Sequence, residues 1–283
     1  MLIAIGSVKH APGATSLAVA LAARSVLPDP LVVEADPAGG DLQARFGVQG
    51  EPGLSNFAAD AAAGGRELDL ATYARPLGET RARAVFGPAD EYRAVETGAI
   101  AATRSLIGES GLVVGMVAQT GLDALRQAAE RRMVLLDVGR LSWESPALTL
   151  AAGSDVLLLV THAGIEALDS VRVRRNRLLT LPSMRASLRL VLRGELPCPA
   201  WEIAATLGLP VAATVPDDRR AAAVLTGRSR PGRGWTRTEM LRAARGLAMS
   251  LAREFQQVPA PPPGVVSPLI RAPHDHLAVE ANR

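Results

Sequence analysis

Short apolar runs and alanine-rich stretches alternate along most of this chain, and that alternation restricts its fold more than any other feature. Leu2–Ile5, Leu31–Glu34, Met133–Leu136, Val156–Val160, Leu188–Leu192 and Val211–Val215 have strand length, with Arg83–Phe86 a weaker addition. Helical patterns fill the spaces, at about 15–25, 89–106, 171–179, 201–207, 219–225 and 236–255. Strands that are apolar on both faces need helices over both, which describes a parallel sheet built from βα units. The expectation is an α/β fold, a mostly parallel twisted sheet with helices on both faces in three layers. Residues 112–117 suit a strand or a helix equally. With 48% hydrophobic but only 3% aromatic residues, the core must be made of Ala, Val and Leu. In the last helical pattern Met240, Ala244, Leu247, Leu251 and Phe255 recur along one side as a packing stripe.

From Pro259 the composition changes, with Pro259, Pro261, Pro262, Pro263, Pro268 and Pro273 excluding a helix or central strand. The chain therefore reads as one domain over 1–257 and a Pro-rich flexible tail over 258–283. His274 and His276 in that tail suit a solvated segment better than a metal site. One cysteine, Cys198, excludes an intrachain disulfide. The N-terminus lacks the charged-then-apolar order of a signal peptide, and no run approaches the ~18 apolar residues of a membrane span. The sequence predicts a cytoplasmic protein with no integral membrane segment.

Of the 31 basic residues one is lysine, Lys9, and it lies in the loop between the first strand and the first helix. That loop, Gly6-Ser7-Val8-Lys9-His10-Ala11-Pro12-Gly13-Ala14-Thr15-Ser16, is placed to aim backbone N–H groups and a helix N-terminus at an anion. Gly13 allows close backbone approach, and the Thr15 hydroxyl suits Mg²⁺. A plain GxxxxGK[ST] reading fails, because Val8 stands at the first glycine and Ala14 at the lysine. The alternative is an ordinary βα turn.

Two strands end in carboxylates. Val32-Val33-Glu34-Ala35-Asp36-Pro37-Ala38-Gly39-Gly40-Asp41 follows the second strand, and Met133-Val134-Leu135-Leu136-Asp137 brings an acid to the end of another. An acid at a strand end beside a phosphate loop orients water or holds a metal through water. An Asp-Pro turn is the competing reading of the first.

The loop resembles the deviant Walker A of the MinD/ParA ATPase family, K-G-G-x-G-K-T-[TS], at Lys9, Gly13, Thr15 and Ser16, and departs from it at His10, Ala11 and Ala14. The segment 34–41 is similar to the family's D-x-D-P-Q-G-G-D, with Glu34 at the first aspartate and Asp36 at the acid that positions water. Asp137 takes the Walker B place, followed by Arg140 and Leu141 where small polar residues are usual. Leu188–Arg193 matches a strand that normally ends in an adenine-reading asparagine, and Leu192-Arg193-Gly194 offers no amide. Glu202-Ile203-Ala204, Leu207-Gly208-Leu209-Pro210-Val211 and Val215-Pro216-Asp217-Asp218 resemble the family's ending, where Pro216 and Asp217 would flank the base.

The resemblance, which covers about Met1 to Phe255, implies a P-loop NTPase fold. It also implies ATP and Mg²⁺ as cofactors and a homodimer in which Lys9 reaches the partner's nucleotide. Lys9 and Asp36 are then the catalytic candidates. Lys9, Gly13, Ala14, Thr15, Ser16, Pro216 and Asp217 would contact nucleotide, and Thr15 and Asp137 the metal. Three functions stay open. The first is a nucleotide-dependent dimerising positioning or assembly factor, a weak ATP hydrolase if active. The second is a pseudo-ATPase scaffold for a pilus, secretion or partitioning machinery, as in the TadZ/CpaE-like branch. The third is a non-specific DNA-binding partitioning protein. It rests on seven arginines over 172–193 without an acid, and nine over 219–253 against Glu239 alone. A solvated helix face in an arginine-rich chain of modest net charge is the favoured explanation of those arginines. A dinucleotide-binding dehydrogenase is disfavoured because no G-x-G-x-x-G follows the first strand. Trp143, Trp201 and Trp235 are expected as core or interface anchors.

Overall fold

The computed structural model describes residues 1–64, 68–89 and 99–257, with only the backbone for 99–107 and 257. The tail over 258–283 and residues 90–98 of the expected helix lie outside the described residues. So do His274 and His276.

Among the described residues there are eight strands, β1 (Leu2–Ser7), β2 (Leu31–Glu34), β3 (Ala74–Pro76), β4 (Arg83–Val85), β5 (Val134–Arg140), β6 (Val156–His162), β7 (Ser187–Arg193) and β8 (Val211–Val215). They form one sheet in the order β3-β4-β2-β5-β1-β6-β7-β8. Every pairing is parallel except β3 with β4.

Alternation along the strands supplies two cores. Ala4, Val33, Leu136 and Leu157 face one side, packed on α3 (Leu54–Ala62), α5 (Leu122–Ala129), α6 (Ala147–Gly153), α7 (Ile165–Leu179) and α8 (Ala200–Leu207). Ile3, Ile5, Val32, Leu135 and Leu158 face the other, under α1 (Ala14–Arg24), α2 (Leu42–Phe46), α9 (Arg219–Leu225) and α10 (Glu239–Gln257). The α10 stripe is as expected: Met240, Ala244, Leu247 and Leu251 are buried against this second face. The three-layer sandwich read from the sequence is therefore the observed architecture.

The undecided stretch at 112–117 is helical. It ends α4 (Ala99–Met116), which is interrupted at Gly108 and runs on into a π-helical turn over Val117–Gly121. Several elements have no counterpart in the sequence expectations, among them β3, α2, α3, α5 and α6. The edge strand β3 has three residues and ends in a proline, and α2 is little more than one turn.

Candidate functional site

In a parallel sheet all strand C-termini open on one edge, and adjacent strands that diverge there leave a crevice. Here β1 lies between β5 and β6, so the loop after β1 overhangs the ends of β2 and β5. A cavity of about 740 Å³ occupies this edge. Its floor is the loop from His10 to Ser16, and Asp36, Arg45, Arg140 and Thr226 contribute to its walls.

Gly13 sets the floor. It holds a left-handed conformation at φ 89° and ψ 39° directly before α1, so the helix begins with no capping side chain. The first N–H groups of α1 are therefore left facing an anion-sized space. Ala14, where a phosphate-binding lysine would stand, contributes only a buried methyl group to this lining.

The carboxylates come from strand register. Glu34 and Asp137 are paired across β2 and β5, so both project on the α1 side of the sheet. Asp137 is 1% exposed, and burial pushes its carboxyl up to about 6. Thr15 beside it and the charge of Arg45 act in the opposite sense, while Asp36 adds to the rise. Asp36 is also raised by burial, opposed by the Ala38 N–H and by Arg140. The Ala38 N–H donates to Asp36 Oδ1 at 2.9 Å.

Gly139 explains how Asp36 fits. The register of β1 on β5 slips between Ile5 and Gly6, which places Gly139 at φ 58° against the Asp36 carboxylate. A β-carbon on Gly139 would stand 2.0 Å from Asp36 Cγ.

Glu34 behaves differently from a metal-facing acid. It is 2% exposed. Its Oε1 accepts the N–H of Asp41 at 2.6 Å and of Leu42 at 2.8 Å, and its Oε2 accepts that of Gly87 at 3.2 Å. Burial dominates all three bonds and raises its carboxyl to about 7. Glu34 thus ties the segment after Asp36 to the chain leaving β4.

The predicted residues separate into two groups. Gly13, Ala14, Thr15, Ser16 and Asp36 line the cavity, and Asp137 lies beneath Thr15. Lys9 is half-buried between the lining residues Ser7 and His10 but does not itself line the space. Pro216 and Asp217 also lie outside the lining. Asp217 is joined to the loop through Arg193, whose Nη2 donates to Asp217 Oδ1 at 3.1 Å. Nη1 of Arg193 lies 3.0 Å from where a Gly13 β-carbon would be. The residue that offers no amide thus brings a guanidinium against the phosphate loop. Its side chain is 11% exposed.

Sequence reasoning missed Arg45 and Thr226, which reach the cavity from α2 and from just beyond α9. Neither carries a local signal, since each is brought there by packing between distant elements. Four of the seven arginines over 172–193 meet acids that the sequence interval did not contain. Arg172 pairs with Asp169, Arg185 with Asp155, Arg189 with Glu254 and Arg193 with Asp217. Trp143 is partly buried under the Arg177 guanidinium, 4.1 Å from the ring centre. Trp235 packs on the second core, whereas Trp201 is 69% exposed and anchors no core.

The residues present suit a magnesium nucleotide in part. A hydroxyl and two carboxylates form an all-oxygen set, which suits a hard divalent cation. Mg²⁺ ordinarily takes few protein ligands and shares the rest with phosphate oxygens and water. The weak point is Ala14, which provides no cation.

No protein-family model and no curated protein sequence matches the chain. Solved structures do. A ParA family ATPase from Chlorobium tepidum superposes with TM-score 0.61 at 16% identity, over 88% of this chain and 98% of that one. The cell division ATPase MinD of Pyrococcus furiosus gives 0.63 at 16% identity, over 89% and 98%. The septum site-determining protein MinD of Pyrococcus horikoshii, complexed with Mg-ADP, gives 0.61 at 16%, over 89% and 96%. These likenesses span nearly the whole of both partners. Among the described residues no helix is long and apolar enough to cross a membrane.

Proposed function

From the P-loop fold that this chain shares with the MinD and ParA ATPases, we propose a nucleotide-dependent dimerising positioning or assembly factor with weak or absent hydrolysis. One observation carries this reading: the cavity joins the open N-terminus of α1 to Thr15, Asp36 and, beneath them, Asp137. In this reading the N–H groups of residues 13–16 hold phosphate oxygens, and Thr15 and Asp137 hold Mg²⁺. Asp36, kept in place by Ala38 and Gly139, orients a water. Lys9, lying beside the cavity rather than in it, serves a second copy of the chain.

A protein partner is supported by apolar groups on the outside. Ile165 is 81% and Val173 64% exposed on α7, and Trp201 is exposed on neighbouring α8. Isolated exposed apolar residues are ordinary, but large ones on adjacent helices suit an interface.

The second reading is a pseudo-ATPase scaffold, and Ala14 favours it. Losing a charged hydrogen bond to phosphate costs roughly 1.5–3 kcal/mol, about ten- to a hundredfold in affinity. Titration calorimetry with ATP and Mg²⁺ separates the two. Saturable binding, with dimerisation on sedimentation that Lys9→Ala abolishes, supports the switch. A chain that binds no nucleotide at millimolar concentration supports the scaffold.

A further inference from the structure

A nucleotide site built on Gly13 and Thr15 lacks its usual in-chain cation, because position 14 is alanine. Arg45 of α2 shares that alanine's cavity, and α2 is fixed at several points. Leu42 is fully buried, the N–H groups of Asp41 and Leu42 are bound by Glu34, and the Gly227 backbone packs against the Arg45 carbonyl. Arg45 projects from this anchored turn into the same cavity as residues 14–16. Its charge is felt by Asp137 under Thr15. Arg140, the other arginine of the cavity, acts instead on Asp36.

The present partner of Arg45 is Asp41, at 2.5 Å and four residues earlier. The Asp41 side chain is 66% exposed, and an ion pair so open to solvent holds its arginine weakly. A phosphate offers the guanidinium a paired, charge-assisted acceptor instead.

We propose that Arg45 supplies, from α2, the charge on the nucleotide's phosphates that Ala14 cannot. The inference rests on the nucleotide reading and adds the residue that makes it workable. Arg45 exchanges Asp41 for phosphate, and Asp41 is released to solvent.

The test is a calorimetric titration of the full chain with Mg-ATP, comparing wild type with Arg45→Gln, Arg45→Lys, Ala14→Lys and the Ala14→Lys/Arg45→Gln pair. Arg45→Gln should weaken binding about ten- to a hundredfold, and Arg45→Lys, which keeps the charge, should lose much less. Ala14→Lys should strengthen binding and shrink the Arg45→Gln loss to a few-fold. Circular dichroism confirms that each variant is folded. Wild-type binding unchanged by Arg45→Gln overturns this inference alone, as does an equal Arg45→Gln loss with and without Lys at position 14. Absence of binding by both the wild type and Ala14→Lys overturns the nucleotide reading itself.

Discussion

The Arg193 guanidinium lies against the one glycine that shapes the phosphate loop, with Nη1 3.0 Å from the place a Gly13 β-carbon would take. The contact joins the end of β7 to the start of α1, and through Asp217 it also holds the loop after β8. Its Nε is buried without a hydrogen-bond partner among the described residues, and the ion pair from Nη2 to Asp217 holds the guanidinium there.

Gly13→Ala should therefore be costly twice over. An alanine at φ 89° is strained by about 1–3 kcal/mol, and its methyl group must also displace Arg193. Urea denaturation should show the whole loss in the single variant. In an Arg193→Ala background only the backbone share should remain. Equal losses in both backgrounds would mean that the guanidinium does not press on the loop.

Gly139→Ala should be worse for the site than for the fold. The new β-carbon would overlap the Asp36 carboxylate at 2.0 Å, so Asp36 must leave its place and its bond from the Ala38 N–H. A stability loss of about 3 kcal/mol is expected, and Asp36→Ala should recover part of it. If Asp36→Ala recovers none, the acid is not what fills that space.

Stability should fall as pH rises through the range set by Glu34. Its folded carboxyl is raised from 4.5 to about 7, so between these values the folded state keeps a proton that the unfolded chain releases. The contribution is fully present below pH 4.5 and is lost as pH passes about 7. Over the whole interval it is on the order of 3 kcal/mol, and Asp36 and Asp137 act in the same direction. Glu34→Gln should flatten the unfolding free energy measured from pH 5 to pH 8. A wild-type curve that rises over that range would contradict the assignment.

Binding of Mg-ATP should expel protons near pH 6. A cation beside Asp137 favours the charged form of an acid now held at about 6. Calorimetric titration in buffers of different ionisation enthalpy should report this release at pH 6 and much less of it at pH 8. Asp137→Asn should reduce it. Identical heats in all buffers at pH 6 would show that the cation does not meet this acid.

What the sequence discloses depends on how local the cause is. β2, β8 and α9 fall on the residues expected of them, because each is a distinct run between turn residues. By contrast the short helices α2, α3, α5 and α6 lie in long stretches between the recognisable strands and are not set apart as runs of their own. Gly108 breaks the pattern of α4. The positions of the loop after β1 and of Asp36 and Asp137 were legible because strand–loop–helix order places them. Those of Arg45 and Arg193 were not, since they arise from α2 reaching the same cavity and from β7 ending beside Gly13. Glu34 was legible as an acid near the site. Its turn towards the N–H groups of Asp41, Leu42 and Gly87 is a matter of how the next loop folds back.

The short strand β3 runs against its neighbours and finishes at Pro76, which has no amide hydrogen to offer. The Ala74 carbonyl there is already taken by the side chains of Arg75 and Arg83. A border furnished in this manner gives an incoming strand little to zip onto. Edge-to-edge pairing of copies is disfavoured on that flank.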